Sequence, residues 1–194
     1  MRRRLHPDDL DKTTEDTMPR LFTGLEIPSG VSMALSSLRG GLVGARWIDA
    51  ANYHVTLRFA GDIDGRTADD FAHGLDGVRP RSIELTLDAL DVFGGAKPRA
   101  LVALVRPTPQ LAALQAEHES IARRAGMPPE TRKFTPHVTL ARLRGTPAEA
   151  AAFFIASMGR FPVQRFSVPR FALFSSRASV GGGPYVVEAA YPLA

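Results

Sequence analysis

The chain has 194 residues, 44% hydrophobic and 23% charged, so it can bury a core in one domain or two small lobes and is neither disordered nor fibrous. It has no cysteine, which excludes a disulfide scaffold, a thiol nucleophile, thiolate zinc sites and iron–sulfur clusters. Lysine and arginine outnumber aspartate and glutamate by 24 to 20, a net charge of +4 that leans towards anionic partners but falls far short of a nucleic-acid coat.

Residues 1–17 are polar, lack apolar periodicity and read as a flexible tail ahead of one folded unit over residues 18–194. Arg2, Arg3 and Arg4 are followed by acids rather than by an apolar segment, which is not the pattern of a secretory signal. No apolar run approaches the roughly 18 residues that a membrane helix requires. The expectation is a cytoplasmic protein without membrane association. Residues 21–27 read as a buried strand, Pro28-Ser29 opens a helix running to about Gly40-Gly41, and Trp47-Ile48 leads into a turn at 49–52. A strand over 53–60, a helix over 67–78 and a strand over 82–92 follow, then a turn at 94–98 and a strand over 100–105. Thr108 caps a long helix over 109–125, and the break Gly126-Met127-Pro128-Pro129 leads to a strand at 137–143. A helix over 147–158, a strand near 163–174, a loop at Gly181-Gly182-Gly183 and a strand at 185–191 complete the chain. Helices mixed with long adjacent strand pairs favour an α+β fold over a parallel doubly wound sheet.

Tyr53-His54-Val55-Thr56-Leu57 and Pro136-His137-Val138-Thr139-Leu140 share the tetrapeptide His-Val-Thr-Leu, 83 residues apart, each inside an expected strand. Alternation along a strand turns Val55 and Leu57 to one face and His54 and Thr56 to the other. Each copy therefore anchors itself with two apolar side chains and presents an imidazole beside a hydroxyl. Two such strands side by side gather two imidazoles and two hydroxyls in one cleft. A neutral imidazole to take a proton, an imidazolium to give one and hydroxyls to donate to oxyanions suit acid–base chemistry on an anion. One His-x-Thr alone is an ordinary polar strand face; its recurrence in the same context points to function. His6 in the tail, and His73 and His118 on helices, have no partner at ligand spacing and read as solvated side chains. No His-Glu-x-x-His, EF-hand or phosphate-loop pattern occurs, so the sequence requires no metal and no cofactor. Gly94-Gly95-Ala96-Lys97 reads as a hairpin turn.

The paired motifs resemble the signature of the 2H phosphoesterase superfamily. Arg46-Trp47-Ile48 ahead of Tyr53-His54-Val55-Thr56-Leu57-Arg58-Phe59-Ala60-Gly61-Asp62 is similar to the first motif of its bacterial and archaeal RNA 2′,3′-cyclic phosphodiesterase (2′-5′ RNA ligase) branch. Phe134-Thr135-Pro136-His137-Val138-Thr139-Leu140-Ala141-Arg142 is similar to the second. Arg20-Leu21-Phe22, and the end from Gly183-Pro184-Tyr185 to Tyr191-Pro192-Leu193, are also similar, so the resemblance covers residues 19–193. It departs at Phe59-Ala60-Gly61-Asp62, where the family more often carries a Leu and a Glu; neither change touches the chemistry.

The resemblance implies a bilobal fold: two pseudo-symmetric lobes with antiparallel sheets and flanking helices around a central cleft. It implies hydrolysis of RNA or nucleotide 2′,3′-cyclic phosphate to a 2′-phosphomonoester without metal or ATP. In several members the reverse reaction joins RNA ends through a 2′-5′ bond. His137 would deprotonate the attacking water, His54 would protonate the departing 3′-oxygen, and Thr56 and Thr139 would hydrogen-bond the non-bridging oxygens. Which histidine is acid and which base stays open. Arg142 matches a basic residue that the family uses near the phosphate. Strand parity, however, groups Ala141 with His137 and Thr139 and turns Arg142 away unless a bulge or the strand end intervenes. The same parity sets Arg58, not Phe59, beside His54. Phe59 is by similarity a base-stacking residue and by residue type a core aromatic. The implied partners are RNA with cyclic phosphate ends or small cyclic nucleotides, bound by a monomer with no obligate protein partner. A nucleotide-binding module without turnover is one other reading, and a 2H enzyme for 2′-5′ oligonucleotides or ADP-ribose cyclic phosphate is another. Two complete His-x-Thr copies favour catalysis, because binding alone does not need two proton-transfer groups.

Overall fold

The computed structural model describes residues 20–79, 82–176 and 183–193, so the segment 1–17 and two of the three glycines at 181–183 lie outside the described residues. The chain runs β1 (Arg20–Glu26), α1 (Ser29–Ser36), β2 (Ala45–Trp47), a short 3₁₀ helix (Ala50–Asn52), β3 (His54–Gly61), α2 (Gly65–Leu75) and β4 (Ile83–Phe93). It continues with β5 (Ala100–Val105), α3 (Pro109–Arg124), β6 (His137–Leu143), α4 (Ala148–Ser157), β7 (Gln164–Val168), β8 (Arg170–Ser176) and β9 (Tyr185–Pro192).

β2, which lies alongside β6, is a strand that the sequence reading did not include, and three of the expected elements depart from that reading for local reasons. α1 ends at Ser36 rather than near Gly40, because Ser36 and Ser37 hydroxyls donate to the carbonyls of Met33 and Ala34 at 2.9 and 2.8 Å and compete with the next helical bonds. α2 begins two residues before Thr67, since Asp64 caps it by accepting from the Thr67 amide at 2.9 Å. The single strand expected over 163–174 is two, parted at Pro169, which has no N–H to offer a ladder. The turn after β4 is as expected: Lys97 N–H donates to Gly94 O at 3.1 Å, with Gly94 at φ 115° and Gly95 at φ 57°.

The strands form one antiparallel sheet in the order β7-β4-β5-β6-β3-β1-β8-β9, with β2 alongside β6. It consists of two half-sheets, β3-β1-β8-β9 and β6-β5-β4-β7, that match strand for strand about a pseudo-twofold axis. At the seam β3 and β6 touch through a single register pair, Val55 with Val138, the residue that follows the histidine in each motif. The strands do not pair beyond it, and the groove between the half-sheets is the cleft. The β3-β1-β8-β9 half-sheet is not one stretch of the sequence, because β8 and β9 return from the C-terminal end to lie beside β1, whereas β4 to β7 follow one another along the chain. The helices cover the face opposite the cleft. α3 packs on β3 and on α2, and α4 lies against β4. Leu25, Val55, Phe71, Leu75, Leu111, Leu140 and Phe171 are completely buried between these layers. Burial of aliphatic and aromatic side chains of this size, each about 1.5–3 kcal/mol, fixes which face of β3 and β6 is inward and hence which face looks into the cleft.

Candidate active site

Alternation places the motif residues as read from the sequence. Val55, Leu57, Val138 and Leu140 are buried, while His54, Thr56, His137 and Thr139 are half-buried and line one cleft of about 550 Å³ between the half-sheets. His54 Nδ1–H donates to the carbonyl of Asn52 at 2.8 Å, and His137 Nδ1–H donates to that of Thr135 at 2.7 Å. A carbonyl only accepts, so each Nδ1 carries the proton. Each neutral ring therefore keeps its Nε2 lone pair for the cleft.

Matching bulges settle the parity of the outer positions. Between Thr23 and Gly24 the partner in β3 jumps from Arg58 to Thr56, and between Leu101 and Val102 the partner in β6 jumps from Ala141 to Thr139. The extra residues, Leu57 and Leu140, stand three places after the histidine in each motif, so the bulges obey the same pseudo-symmetry. Each bulge reverses the alternation after it. Phe59 and Arg142, both five places after their histidine, turn into the cleft; Ala141 is completely buried, and Arg58, which borders the cleft, is 7% exposed with its guanidinium directed at Glu119 and Pro128. The uninterrupted parity that set Arg58 beside His54, and Ala141 beside His137, is thus corrected. Phe59 is not a core aromatic: it is 47% exposed on the cleft wall, 5.6 Å from Phe22 between ring centres. Arg58 points to α3, where its Nε lies 2.5 Å from Glu119 Oε2 and its Nη2 donates to Pro128 O at 2.6 Å. Glu119 in turn accepts from the Glu130 amide at 3.1 Å. This buried ion pair fastens the segment carrying Arg132, Lys133 and Phe134, which complete the rim, to the back of β3.

The two imidazoles differ in surroundings. Phe22, Phe174 and Tyr185 lie 4.8, 5.7 and 5.1 Å from the His54 ring, whereas His137 meets Phe93 at 4.7 Å. Burial pushes His54 down from 6.5 to about 4, with nearby His137 and Arg142 adding to the shift against the bond to Asn52. Burial, opposed by the bond to Thr135 and reinforced by Arg142, lowers His137 as well. The cleft is otherwise basic. Arg132 is paired to Glu130 at 2.8 Å and Arg20 to Asp62 at 3.4 Å. Arg142 has no carboxylate partner among the described residues. Two neutral bases, two hydroxyls and an uncompensated guanidinium in a partly apolar groove can hold an anion and move protons at its two ends.

Phe22, Tyr185, Arg132 and Lys133 belong to the cleft and were not singled out by the sequence. Phe22 sits on the cleft face of β1 opposite Phe59, a register that becomes visible only once β1 and β3 are paired. His73 is exposed as expected. His118 is not a solvated residue: it is completely buried on α3, with Nδ1 2.8 Å from Thr23 Oγ1. His6 lies outside the described residues.

The model of the family described as "LigT like Phosphoesterase" matches residues 25–104 and 102–185. The chain is 32% identical over 100 residues to an RNA 2′,3′-cyclic phosphodiesterase of Aeropyrum pernix, in a match covering 50% of this chain and 57% of that protein, less than two-thirds of its length. It is 30% identical over 135 residues to an RNA 2′,3′-cyclic phosphodiesterase of Bacillus subtilis, covering 66% of this chain and 73% of that protein. The crystal structure of E. coli LigT complexed with 3′-AMP superposes with a TM-score of 0.72 at 23% identity, over 90% of this chain and 98% of that one. The crystal structure of a Thermus thermophilus protein gives 0.72 at 23%, over 90% and 97%. At these identities the superpositions establish a common fold.

Proposed function

The chain belongs to the LigT-like phosphoesterase family, and from that premise we propose that it hydrolyses the 2′,3′-cyclic phosphate at an RNA or nucleotide end to a 2′-phosphomonoester. The reading rests on one observation: two imidazoles on pseudo-equivalent strands, each with Nδ1 committed to a backbone carbonyl, turn their Nε2 atoms to one cleft. The cyclic diester is strained, so positioning and proton transfer supply most of what its opening requires. His137 Nε2 takes a proton from water as its oxygen bonds to phosphorus opposite the 3′-oxygen. The P–O3′ bond breaks, and His54, entering as imidazolium, gives its Nε2 proton to that oxygen. Thr56 and Thr139 donate to the non-bridging oxygens and Arg142 balances their charge. Phe59 stacks the base of the terminal nucleotide.

The cycle ends with the two protonation states exchanged, and solvent restores them. With a 5′-hydroxyl in place of water, the same transfers make a 2′-5′ bond without ATP. No step needs a metal, and among the described residues no three His, Asp or Glu side chains gather as a ligand set. The test is RNA ending in a 2′,3′-cyclic phosphate, with the product's phosphate position read by ³¹P NMR, with and without EDTA. A 2′-phosphate in both arms is expected, with kcat lower by about 10²–10⁴ in His54→Ala and in His137→Ala. Near-normal turnover in either variant, or loss of activity in EDTA, refutes it.

A further inference from the structure

We infer that Asn52 is a positioning residue for His54, holding the start of β9 against the imidazole so that the two motif histidines are held unequally. Three contacts meet on this side chain and its peptide. The Asn52 carbonyl accepts from His54 Nδ1–H at 2.8 Å, and its Oδ1 accepts from the Tyr185 amide at 3.1 Å. Gly183, at φ +94°, passes so close that a Cβ there would collide with the Asn52 amide, so the approach requires glycine. The Tyr185 ring, held by that backbone bond, stands edge-on to both His54 and Phe22 at 5.1 Å.

The second lobe has the carbonyl but not the rest. Thr135 accepts from His137 as Asn52 does from His54. The position of Phe22, opposite Phe59, is occupied there by Ala100, opposite Arg142. β9 runs beside β8 as far as the pair Ser176 with Tyr185, at the cleft. Its counterpart β7 pairs only with Ile83–Leu87 of β4, at the end away from Phe93. Of the wall that dries the His54 ring and fixes its plane, only Phe174 has a counterpart at His137, in Phe93; among the described residues Phe22 and Tyr185 have none, and Asn52 is what ties the Tyr185 part to the ring's own backbone anchor.

The charged and titratable groups facing His54 are His137 and Arg142 from β6, Tyr185 from β9, and Glu26 in register on β1, which is paired with Arg170 of β8. All remain when Asn52 is replaced, so a changed titration reports the wall. The consequence for rate rests on the proposed function, but the first test needs no substrate. In the full chain, NMR titration of the histidine rings should show the His54 midpoint of Asn52→Ala rising by about one pH unit towards 6.5, with His137 unmoved. Asn52→Ser, too short to reach the Tyr185 amide, should do the same and serves if the alanine variant does not fold. Tyr185→Leu, which keeps the latch and removes the ring, should raise the midpoint similarly, and the double variant no further than either single change. The acid limb of kcat/KM should move with the midpoint. An unmoved His54 in the folded Asn52 variants, equal shifts in both histidines, or additive effects of N52A and Y185L overturn the inference. A shifted midpoint in a protein that opens no cyclic phosphate keeps the positioning role and sinks the proposed function.

Discussion

His118 should make stability depend on pH in a way that one substitution removes. Its ring is fully enclosed, edge-on to Phe171 at 4.7 Å, with Nδ1 on Thr23 and, among the described residues, no hydrogen-bond partner for Nε2. Burial drives its pKa from 6.5 down to about 3. Above pH 6.5 neither the folded nor the unfolded chain holds this proton, and stability owes nothing to it. As the pH falls from 6.5 towards 3, the unfolded chain binds a proton that the folded chain refuses, and stability is lost at about 1.4 kcal/mol per pH unit. From pH 6.5 to 5 this one side chain accounts for about 2 kcal/mol. Urea unfolding followed by the fluorescence of Trp47, the single tryptophan, should be measured at pH 7, 6 and 5 for the wild type and for His118→Leu. His54 and His137 are lowered in the same direction but are present in both proteins, so they cancel in the comparison. The leucine variant leaves the Thr23 hydroxyl without its partner, an offset that does not change with pH. Between pH 7 and 5 the wild type should lose about 2 kcal/mol more than the variant. Parallel pH slopes would refute the reasoning.

Because both motif imidazoles are lowered, and the proposed cycle runs through the singly protonated pair, kcat/KM should peak in a window on the acid side, its acid limb near 4 and its alkaline limb below 6.5. Below that window no base remains, and above it no acid. The bound phosphate's negative charge should shift the kcat bell to higher pH, and coincident bells would contradict the assignment. Glu119→Leu strands the Arg58 guanidinium, which is 7% exposed, and should cost about 3–5 kcal/mol in urea unfolding, with Arg58→Met in the same chain recovering much of it. Gly24→Ala would set a Cβ 2.9 Å from the Val55 carbonyl and 3.4 Å from His54 Cδ2. It should cost about 1–3 kcal/mol of stability and lower kcat more than it changes KM; unchanged kinetics would show that β1 does not hold the motif strand in place.

Period-two alternation is a property of any extended chain, so His-Val-Thr-Leu declares without a fold which of its residues face together, and its recurrence declares that two such faces exist. The kinds of element followed from the same local rules: Thr108 capping α3, Gly94-Gly95 turning β4 into β5, apolar runs making buried strands. What no local rule reaches is whatever depends on a neighbour distant in the chain. The bulges at Leu57 and Leu140 exist only in the pairing of β3 with β1 and of β6 with β5, yet they decide that Phe59 and Arg142 enter the cleft while Ala141 is buried and the Arg58 guanidinium is directed at Glu119. A histidine on a helix has the same sequence signature whether water or a sheet covers it. Thr23 and Phe171, from β1 and β8, bury His118. Asn52, a turn residue by composition, becomes a latch only because β9 returns across more than a hundred residues to meet it. Side-chain direction is set by bonds within a few residues; register, burial and the company of an imidazole are set by which strands close upon one another.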